Sequence, residues 1–185
     1  RLTAAQMAAA GALDVLFLLG ADETKVPDGE FVVYIGTHGD AGAHRADVIL
    51  PGTAYTEKAG IYVNTEGRVQ MANRAGFPPG EAREDWAIIR ALSDVLGKKL
   101  GYDSLAALRQ VMFKAVPHLM RIDQIEPGDS AAAVRALAGK GGNVEKTPFK
   151  AAVDDFYLTN PIARASAVMA ECSRLANGRM LTAAE

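Results

Sequence analysis

Residues 46–70 read ADVILPGTAYTEKAGIYVNTEGRVQ, and this stretch decides the fold. Residues 48–50 form a short apolar run that Pro51 closes, which is the pattern of a buried strand. A polar loop follows, and apolar residues then flank an Asn-Thr-Glu-Gly turn at 64–67, which predicts a hairpin or tight return. A core strand joined directly to so polar a loop indicates a specific architecture rather than a generic globule.

Two further apolar runs precede this stretch. Residues 15–19 (VLFLL) end at Gly20, and residues 31–35 (FVVYI) end at Gly36. Runs of this length, rich in β-branched residues and closed by glycine, are typical of strands buried on both faces of a parallel sheet. An Ala-rich helix is predicted before them over residues 2–13. We therefore predict an α/β fold with a parallel, Rossmann-like sheet.

Ligands of such sheets bind beyond the carboxyl ends of the strands. In this sequence those ends are residues 20–23, 36–40 and 51–53. The glycines of residues 36–42 would let backbone N–H groups face an anion. Glycine also marks tight strand exits without any ligand, and we favour that simpler interpretation. The segment matches neither the dinucleotide fingerprint nor a P-loop.

Helices are expected after the hairpin. Asp85 can cap an amphipathic helix whose apolar stripe begins at Trp86, and Gly97 follows its end. A second amphipathic helix is predicted over residues 104–115, and Pro117 ends it.

The last third of the chain changes character. Proline and glycine interrupt residues 125–150, which we interpret as a linker or surface segment. A final helix is predicted over residues 162–176, with Asn160 as its cap, Pro161 at its first position and Gly178 after its end. The predicted organisation has three parts, an α/β segment at 1–124, the linker at 125–150 and a C-terminal helical extension at 151–185.

Composition excludes several classes of function. The 185 residues carry a net charge of −2 with Lys and Arg scattered, so no basic patch points to nucleic acid. The single cysteine, Cys172, cannot supply the several thiolates of an iron–sulfur cluster or a Cys-rich zinc site. No apolar run approaches the roughly 20 residues that cross a bilayer. Because the chain opens at Arg1 and enters a helix at once, we expect it to be a piece of a longer polypeptide.

Four side chains after the second strand are of metal-binding types, namely His38, Asp40, His44 and Asp47. A metal site needs ligands that converge and an ordered second shell. Loops with these residue types are more often simply solvated, and we prefer that interpretation.

Two carboxylates, Glu57 and Glu66, could serve as a general acid and base. No nucleophile or paired histidine accompanies them, so we instead expect Glu57, Asn64 and Arg68 to hold the loop by hydrogen bonds and ion pairing. The remaining nucleophile types lie on the last predicted helix, which is a poor place for a nucleophile elbow: Ser166, Cys172 and Ser173. We therefore predict no catalytic, cofactor-binding or metal-binding residue in this chain.

The opening stretch resembles the ADVxLP…E…G…N.EGR.Q signature of the molybdopterin oxidoreductase superfamily. The matching positions are residues 46–51, Glu57, Gly60, Asn64, residues 66–68 and Gln70. Other stretches are similar to the large iron–sulfur subunits of respiratory complex I, the proton-pumping NADH–quinone oxidoreductase, in their alphaproteobacterial and mitochondrial form. Those stretches are residues 18–22, 39–40, 55–58, 62–68, 155–159 and 164–166, whereas residues 79–86 extend the molybdopterin oxidoreductase match.

The resemblance implies a scaffold role. That family carries its 4Fe–4S and 2Fe–2S clusters in cysteine-rich N-terminal domains. The part that resembles this chain is the C-terminal portion of a molybdoenzyme-like domain that holds no molybdenum cofactor. The segment would then support electron transfer from NADH to quinone without a redox step of its own, inside an enzyme whose catalytic groups lie elsewhere.

The resemblance also implies partners and a location. The expected partners are other subunits of the peripheral arm of complex I, with no nucleic acid and no direct insertion into the membrane. The expected location is the cytoplasmic face of a bacterial inner membrane or the matrix face of the mitochondrial inner membrane, within a membrane-bound complex.

Two alternatives remain open. The chain could be the C-terminal part of a true molybdopterin enzyme, such as a formate dehydrogenase relative, whose metal ligand lies upstream. It could also be an interaction module made of the linker and the capped last helix. Removing residues 147–185 would then weaken assembly and leave the α/β part folded.

Overall fold

The computed structural model describes residues 3–182 with the exception of residues 10, 12, 126, 127, 129 and 140–145. The chain divides into two compact units. The sheet unit comprises the described parts of Arg1–Ile49 and Val144–Glu185, and the hairpin unit comprises the described part of Leu50–Asn143. The predicted boundaries at residues 124 and 150 stay a prediction.

The sheet unit is built on three strands in the order β1-β2-β3, which are β1 (Val15–Leu19), β2 (Phe31–Gly36) and β3 (Val48–Pro51). β1 and β2 are parallel, and their register begins with Val15 opposite Phe31. The last two residues of β3 belong to the hairpin unit. The predicted α/β class and its parallel sheet are confirmed.

One face of β1 carries the core of the sheet unit. Burial alternates along the strand, so Leu16 and Leu18 are buried while Val15, Phe17 and Leu19 are about half exposed. The two buried leucines pack with Val26, Val32 and Tyr34. Burial on both faces is confirmed for most of β2. It is wrong for β1 and for β3, whose Val48 and Ile49 are 37% and 55% exposed.

Two short helices precede β3. α1 (Ala4–Met7) is capped by Thr3. The helix predicted over residues 2–13 is wrong beyond α1, because the chain turns and the Gly11 N–H donates to the carboxylate of Glu30 at 2.9 Å; residues 2, 10 and 12 lie outside the described residues. α2 (Ala41–Arg45) lies where the glycines predicted only a loop.

The hairpin unit begins with an antiparallel pair, β4 (Gly60–Val63) and β5 (Val69–Ala72). The predicted hairpin is confirmed. The Asn64 side chain holds its turn, since Oδ1 accepts hydrogen bonds from the backbone N–H groups of Glu66 and Arg68 at 3.0 and 2.9 Å. Gly67 at the end of the turn has a φ of 85°, a conformation that disfavours a side chain.

Two longer helices follow. α3 (Asp85–Val95) ends before Gly97, whose φ of 67° supplies the left-handed turn predicted there. The prediction that Asp85 caps this helix is wrong. Glu84 stands at the cap position, Asp85 is the first helical residue, and the Asp85 carboxylate forms an ion pair with Lys58. α4 (Leu105–Ala115) begins as predicted, with Ser104 Oγ accepting the Ala107 N–H at 3.1 Å.

Pro117 begins a 3-10 turn after α4, Pro117–Met120. α5 (Ser130–Leu137) then lies inside the segment that we interpreted as a linker, part of which falls outside the described residues.

The C-terminal segment returns to the sheet unit. A 3-10 turn at Phe156–Leu158 leads to α6 (Pro161–Arg164) and α7 (Ala167–Thr182). Asn160 caps α6 as predicted, since its Oδ1 accepts the Ala163 N–H at 2.9 Å.

The single helix predicted over residues 162–176 is wrong in two respects. It breaks after Arg164, where the Ser166 side chain begins a new helix by accepting the Met169 N–H at 3.4 Å. It also continues past Gly178, because one glycine costs a helix interior only about 1 kcal/mol. Among the helices of the described residues, none combines the length and the apolarity needed to cross a bilayer.

Candidate functional site

The candidate ligand site of the sheet unit is formed by two loops, residues 20–23 after β1 and residues 36–40 after β2. We call them the edge loops. The first leaves β1 through Gly20, whose φ is 58°. The second leads into α2, and Gly42 of that helix comes so close to the first loop that a Cβ on it would lie 2.9 Å from the Ala21 carbonyl oxygen. The helix that follows the second loop is thus packed against the first loop.

A buried polar pair lies beneath the edge loops. The Tyr34 hydroxyl donates to Asp22 Oδ1, and the two side chains are 1% and 9% exposed. Burial raises the pKa of Tyr34 well above its ordinary value, and the hydrogen bond and negative charge of Asp22 raise it further. The phenol therefore stays protonated, so it holds the loop rather than acting as a base.

Arg164 joins the two edge loops. Its Nε donates to Asp40 Oδ2 at 2.5 Å and its Nη2 donates to Glu23 Oε1 at 3.0 Å. Its Nη1 donates to the Leu158 carbonyl oxygen at 2.9 Å. Burial opposes the charged guanidinium, but the hydrogen bonds to Glu23 and Asp40 outweigh it and raise the pKa of Arg164. All three guanidinium nitrogens are therefore engaged at the edge of the sheet.

Hydrogen bonds to Asp155 hold the C-terminal segment together. Asp155 accepts hydrogen bonds from the Ser173 hydroxyl and, at 2.9 Å, from the Tyr157 N–H. The Ser173 bond lowers the pKa of Asp155, burial opposes this, and the Tyr157 N–H lowers the pKa again. The aromatic rings of Phe156 and Tyr157 meet edge to face with centroids 5.6 Å apart. These contacts fix the turn that carries Arg164 to the edge loops.

The predicted metal-binding residue types are engaged separately. Asp40 pairs with Arg164, and Asp47 Oδ2 accepts the Val32 N–H at 2.7 Å. His38 hydrogen-bonds the neighbouring Thr37 hydroxyl, and His44 is exposed on α2. Within the described ranges no group of three or more His, Cys, Asp or Glu side chains is placed to hold a metal ion.

The carboxyl end of β3 lies in the hairpin unit. Gly52 forms a bridge with Arg83, and the Arg83 N–H donates to the Pro51 carbonyl oxygen at 3.0 Å. Thr53 is 2% exposed, and its hydroxyl has no hydrogen-bond partner among the described residues. The backbone at this strand end is thus already paired within the chain.

Glu57, Asn64 and Arg68 hold their loops by hydrogen bonds, as predicted. Glu57 Oε2 accepts the Ala54 N–H at 3.0 Å, and Glu66 lies 3.8 Å from the Arg68 guanidinium. Arg68 also donates to the Asp123 carbonyl oxygen at 2.9 Å. No acid–base partner lies beside either carboxylate among these contacts.

Sequence reasoning missed the polar centre of α3. Arg90 is 8% exposed and donates to the Tyr102 carbonyl oxygen at 2.9 Å and to Asp103 at 2.5 Å. It also pairs with Asp94 at 2.7 Å. The spacing of Arg90 and Asp94, four residues apart on a predicted helix, was the signal that could have revealed half of this arrangement.

Comparison with protein families gives two matches. The family described as molybdopterin oxidoreductase matches residues 1–95. A second family, described as the C-terminal part of an NADH-ubiquinone oxidoreductase subunit, matches residues 124–172. The two matches together cover the β-rich part of the chain and the segment that carries Arg164.

Individual relatives are similar over most of the chain. The 78 kDa subunit of mitochondrial NADH-ubiquinone oxidoreductase from Candida albicans is 50% identical over 165 residues, which is 85% of this chain and 23% of that protein. The mitochondrial NADH dehydrogenase [ubiquinone] iron-sulfur protein 1 from Solanum tuberosum is 47% identical over 163 residues, which is 86% of this chain and 22% of that protein.

A third relative, the 75 kDa subunit of NADH-ubiquinone oxidoreductase from Reclinomonas americana, is 49% identical over 162 residues, which is 86% of this chain and 23% of that protein. The chain thus spans less than a quarter of the length of these relatives. They favour the complex I resemblance over the formate dehydrogenase alternative. The chain belongs to the molybdopterin oxidoreductase family and is homologous to the large iron–sulfur subunits of NADH–ubiquinone oxidoreductase.

Proposed function

We propose that this chain is a structural segment of the large iron–sulfur subunit of NADH–quinone oxidoreductase. In this role it supports the electron-transfer path from NADH to quinone and performs no redox step itself. Its partners are other subunits of the complex, in the peripheral arm. The complex lies on the cytoplasmic face of a bacterial inner membrane or on the matrix face of the mitochondrial inner membrane.

The observation that carries the scaffold role is the closure of the edge loops by Arg164. A molybdopterin dinucleotide brings phosphate groups, so its site needs free N–H donors or cations. The edge loops instead carry three carboxylates, Asp22, Glu23 and Asp40, and the guanidinium beside them is already shared between two of these. The residues present therefore do not fit the anionic cofactor.

The iron–sulfur clusters of the family do not fit this segment either. A cluster bound by protein thiolates takes four cysteines in its common form. The only thiol of the sequence is that of Cys172, a partly buried residue on α7. We propose that the clusters are bound elsewhere in the polypeptide, and no redox step is assigned to this chain.

Metal analysis of the intact complex tests this function. The complex is purified through the full-length subunit, and iron, molybdenum and tungsten are quantified by mass spectrometry. Iron without molybdenum or tungsten is expected. Stoichiometric molybdenum or tungsten would overturn the proposal and favour a true molybdopterin enzyme.

The closure itself is tested with Arg164→Ala in the full-length subunit. Amide hydrogen exchange should become faster in both edge loops and around Leu158, because one side chain joins all three. Arg174→Ala is the matched control, since this exposed arginine of α7 pairs, within the part of the chain that the structure describes, with Glu171 on the same helix. If exchange in the edge loops is unchanged, Arg164 does not close them.

A further inference from the structure

The hairpin unit has a cleft that plays no part in the site described above. It encloses about 320 Å³ and is open to the surface. The chain forms it by turning through Pro78 and Gly80, whose φ is 52°, so that Phe77 faces the start of α3. Its walls are aromatic and cationic, and they include Arg74, Phe77, Arg83, Glu84 and Trp86.

The two aromatic rings of this cleft, an exposed Phe77 and a partly buried Trp86, each make one orienting contact. Phe77 is 81% exposed, and the Arg74 guanidinium lies 4.6 Å from the centre of its ring. The Trp86 indole N–H donates to Glu84 Oε2 at 2.6 Å, which sets the orientation of the indole. Rings that are already oriented lose little conformational freedom on binding, so covering them favours association.

The cations of the cleft are available to a carboxylate. Arg74 has no carboxylate partner among the described residues. Arg83 lies 3.2 Å from Glu81, but both side chains are more than half exposed, and such a surface pair contributes little. The Glu84 carboxylate also lines the cleft, where its Oε2 accepts the hydrogen bond from the Trp86 indole N–H. Two guanidinium groups thus stand beside an aromatic wall, and Trp and Arg are the residue types that dominate binding energy at protein interfaces.

We propose that this cleft binds a partner subunit through a segment that presents an apolar side chain next to a carboxylate. The apolar side chain would lie against Phe77 and Trp86, and the carboxylate would meet Arg74 and Arg83. An enclosed small-molecule pocket buries most of its ligand, whereas this cleft opens outward beside an exposed ring and suits a protein segment. The proposal rests on the proposed function, because it takes the other subunits of the complex as the source of the partner.

A photo-crosslinker at position 77 tests the occupant. Phe77 is replaced by p-benzoyl-phenylalanine in the full-length subunit, the complex is assembled in cells and irradiated, and linked peptides are identified by mass spectrometry. We expect a link to another subunit, at an apolar residue with Asp or Glu beside it. A link within the same polypeptide, a link to a segment without an acidic residue, or no link at all would overturn the proposal.

Charge reversal tests the cationic wall. Arg74→Glu, added to the crosslinking variant, should lower the yield of the link about tenfold, as expected for losing one charged hydrogen bond. Arg74→Lys should retain most of the yield. Arg135→Glu is the control, because Arg135 is exposed on α5 of the same unit and outside the cleft. An equal yield in Arg74→Glu and Arg135→Glu would overturn the role of the carboxylate.

The two proposals fail in different ways. If the unmodified full-length subunit does not co-purify with NADH–quinone oxidoreductase, the proposed function is wrong. If it co-purifies and position 77 gives no link to another subunit, the proposed function stands and the cleft proposal is wrong.

Discussion

The sheet unit and the hairpin unit are stabilised in different ways. Among the described residues, the buried apolar side chains of the sheet unit are Leu16, Leu18, Val26, Val32, Val33, Tyr34 and Ile35, whereas those of the hairpin unit are Val69 and Ala82. The hairpin unit depends instead on polar contacts, such as Arg90 with Asp103 and Lys58 with Asp85. Buried apolar side chains are therefore more numerous in the sheet unit, and polar contacts carry a larger share of the stabilisation in the hairpin unit.

The difference bears on assembly. A polar tie contributes little where water competes for it, while burial of apolar area is the dominant favourable term in folding and association. The hairpin unit leaves large apolar side chains uncovered, with Phe77, Val95 and Leu96 at 81%, 85% and 66% exposure. The sheet unit exposes comparable side chains, with Phe149 and Phe156 at 107% and 78%, so both units leave apolar area for a partner and the hairpin unit has the smaller buried core.

The largest expected effect is in the core of the sheet unit. Leu18→Ala should lower the local free energy of unfolding by about 2–5 kcal/mol, because it removes a side chain that is 3% exposed from the centre of the apolar cluster. Amide hydrogen exchange of β1 and β2 in the full-length subunit measures it. Leu19→Ala is the matched control, since Leu19 is 51% exposed and should cost far less. An equal loss at both positions would contradict burial of β1 on one face.

The next effect is in the polar centre of the hairpin unit. Arg90→Met keeps an unbranched apolar stem and removes the guanidinium with its hydrogen bonds to Tyr102 and Asp103. Exchange should become faster at the end of α3 and over residues 99–103, with a smaller loss than for Leu18→Ala. Arg174→Met, at an exposed pair on α7, should change neither region. Unchanged exchange in Arg90→Met would show that the polar ties do not hold this unit.

Short-range patterns predicted the elements of both units well. The strands of the sheet unit follow from apolar runs closed by glycine or proline. The hairpin follows from its turn sequence, in which Asn64 accepts two backbone hydrogen bonds and Gly67 takes a positive φ. The caps Ser104 and Asn160 are equally local, since each accepts a backbone N–H three residues ahead. These features depend on a few neighbouring residues, so the sequence is enough to find them.

Long-range contacts account for what the sequence did not predict. Arg164 meets Asp40 across 124 positions, and that contact lies beside the break between α6 and α7. The cleft forms because a turn at Gly80 brings Phe77 to Trp86, and Asp85 leaves its expected capping role for an ion pair with Lys58 27 residues earlier. The spacing of apolar residues along the sequence does not predict such contacts, because each depends on the tertiary path of the chain.

A smaller effect is expected at the start of α4. Ser104→Ala should destabilise this helix by about 1 kcal/mol, because it leaves the Ala107 N–H without its capping acceptor. Exchange at the first turn of α4 measures it. Ser104→Asp, which retains an acceptor at the cap, should restore most of the protection. A loss in Ser104→Asp equal to that in Ser104→Ala would rule out capping as the cause.

The smallest expected effect is a loss of stability of the C-terminal segment at low pH. The pKa of Asp155 is lowered in the folded chain, first by the hydrogen bond from Ser173. A carboxyl group with a depressed folded pKa stabilises the fold fully above its unfolded pKa, near about 3.9, and that stabilisation is lost as the pH falls through the folded pKa. Exchange over residues 155–173 should therefore quicken, relative to its intrinsic rate, as the pH falls below that value. Asp155→Asn cannot titrate, so this part of the acid response should disappear, and Ser173→Ala should move it to higher pH. An acid response in Asp155→Asn identical to that of the unmodified chain would assign the loosening to another group.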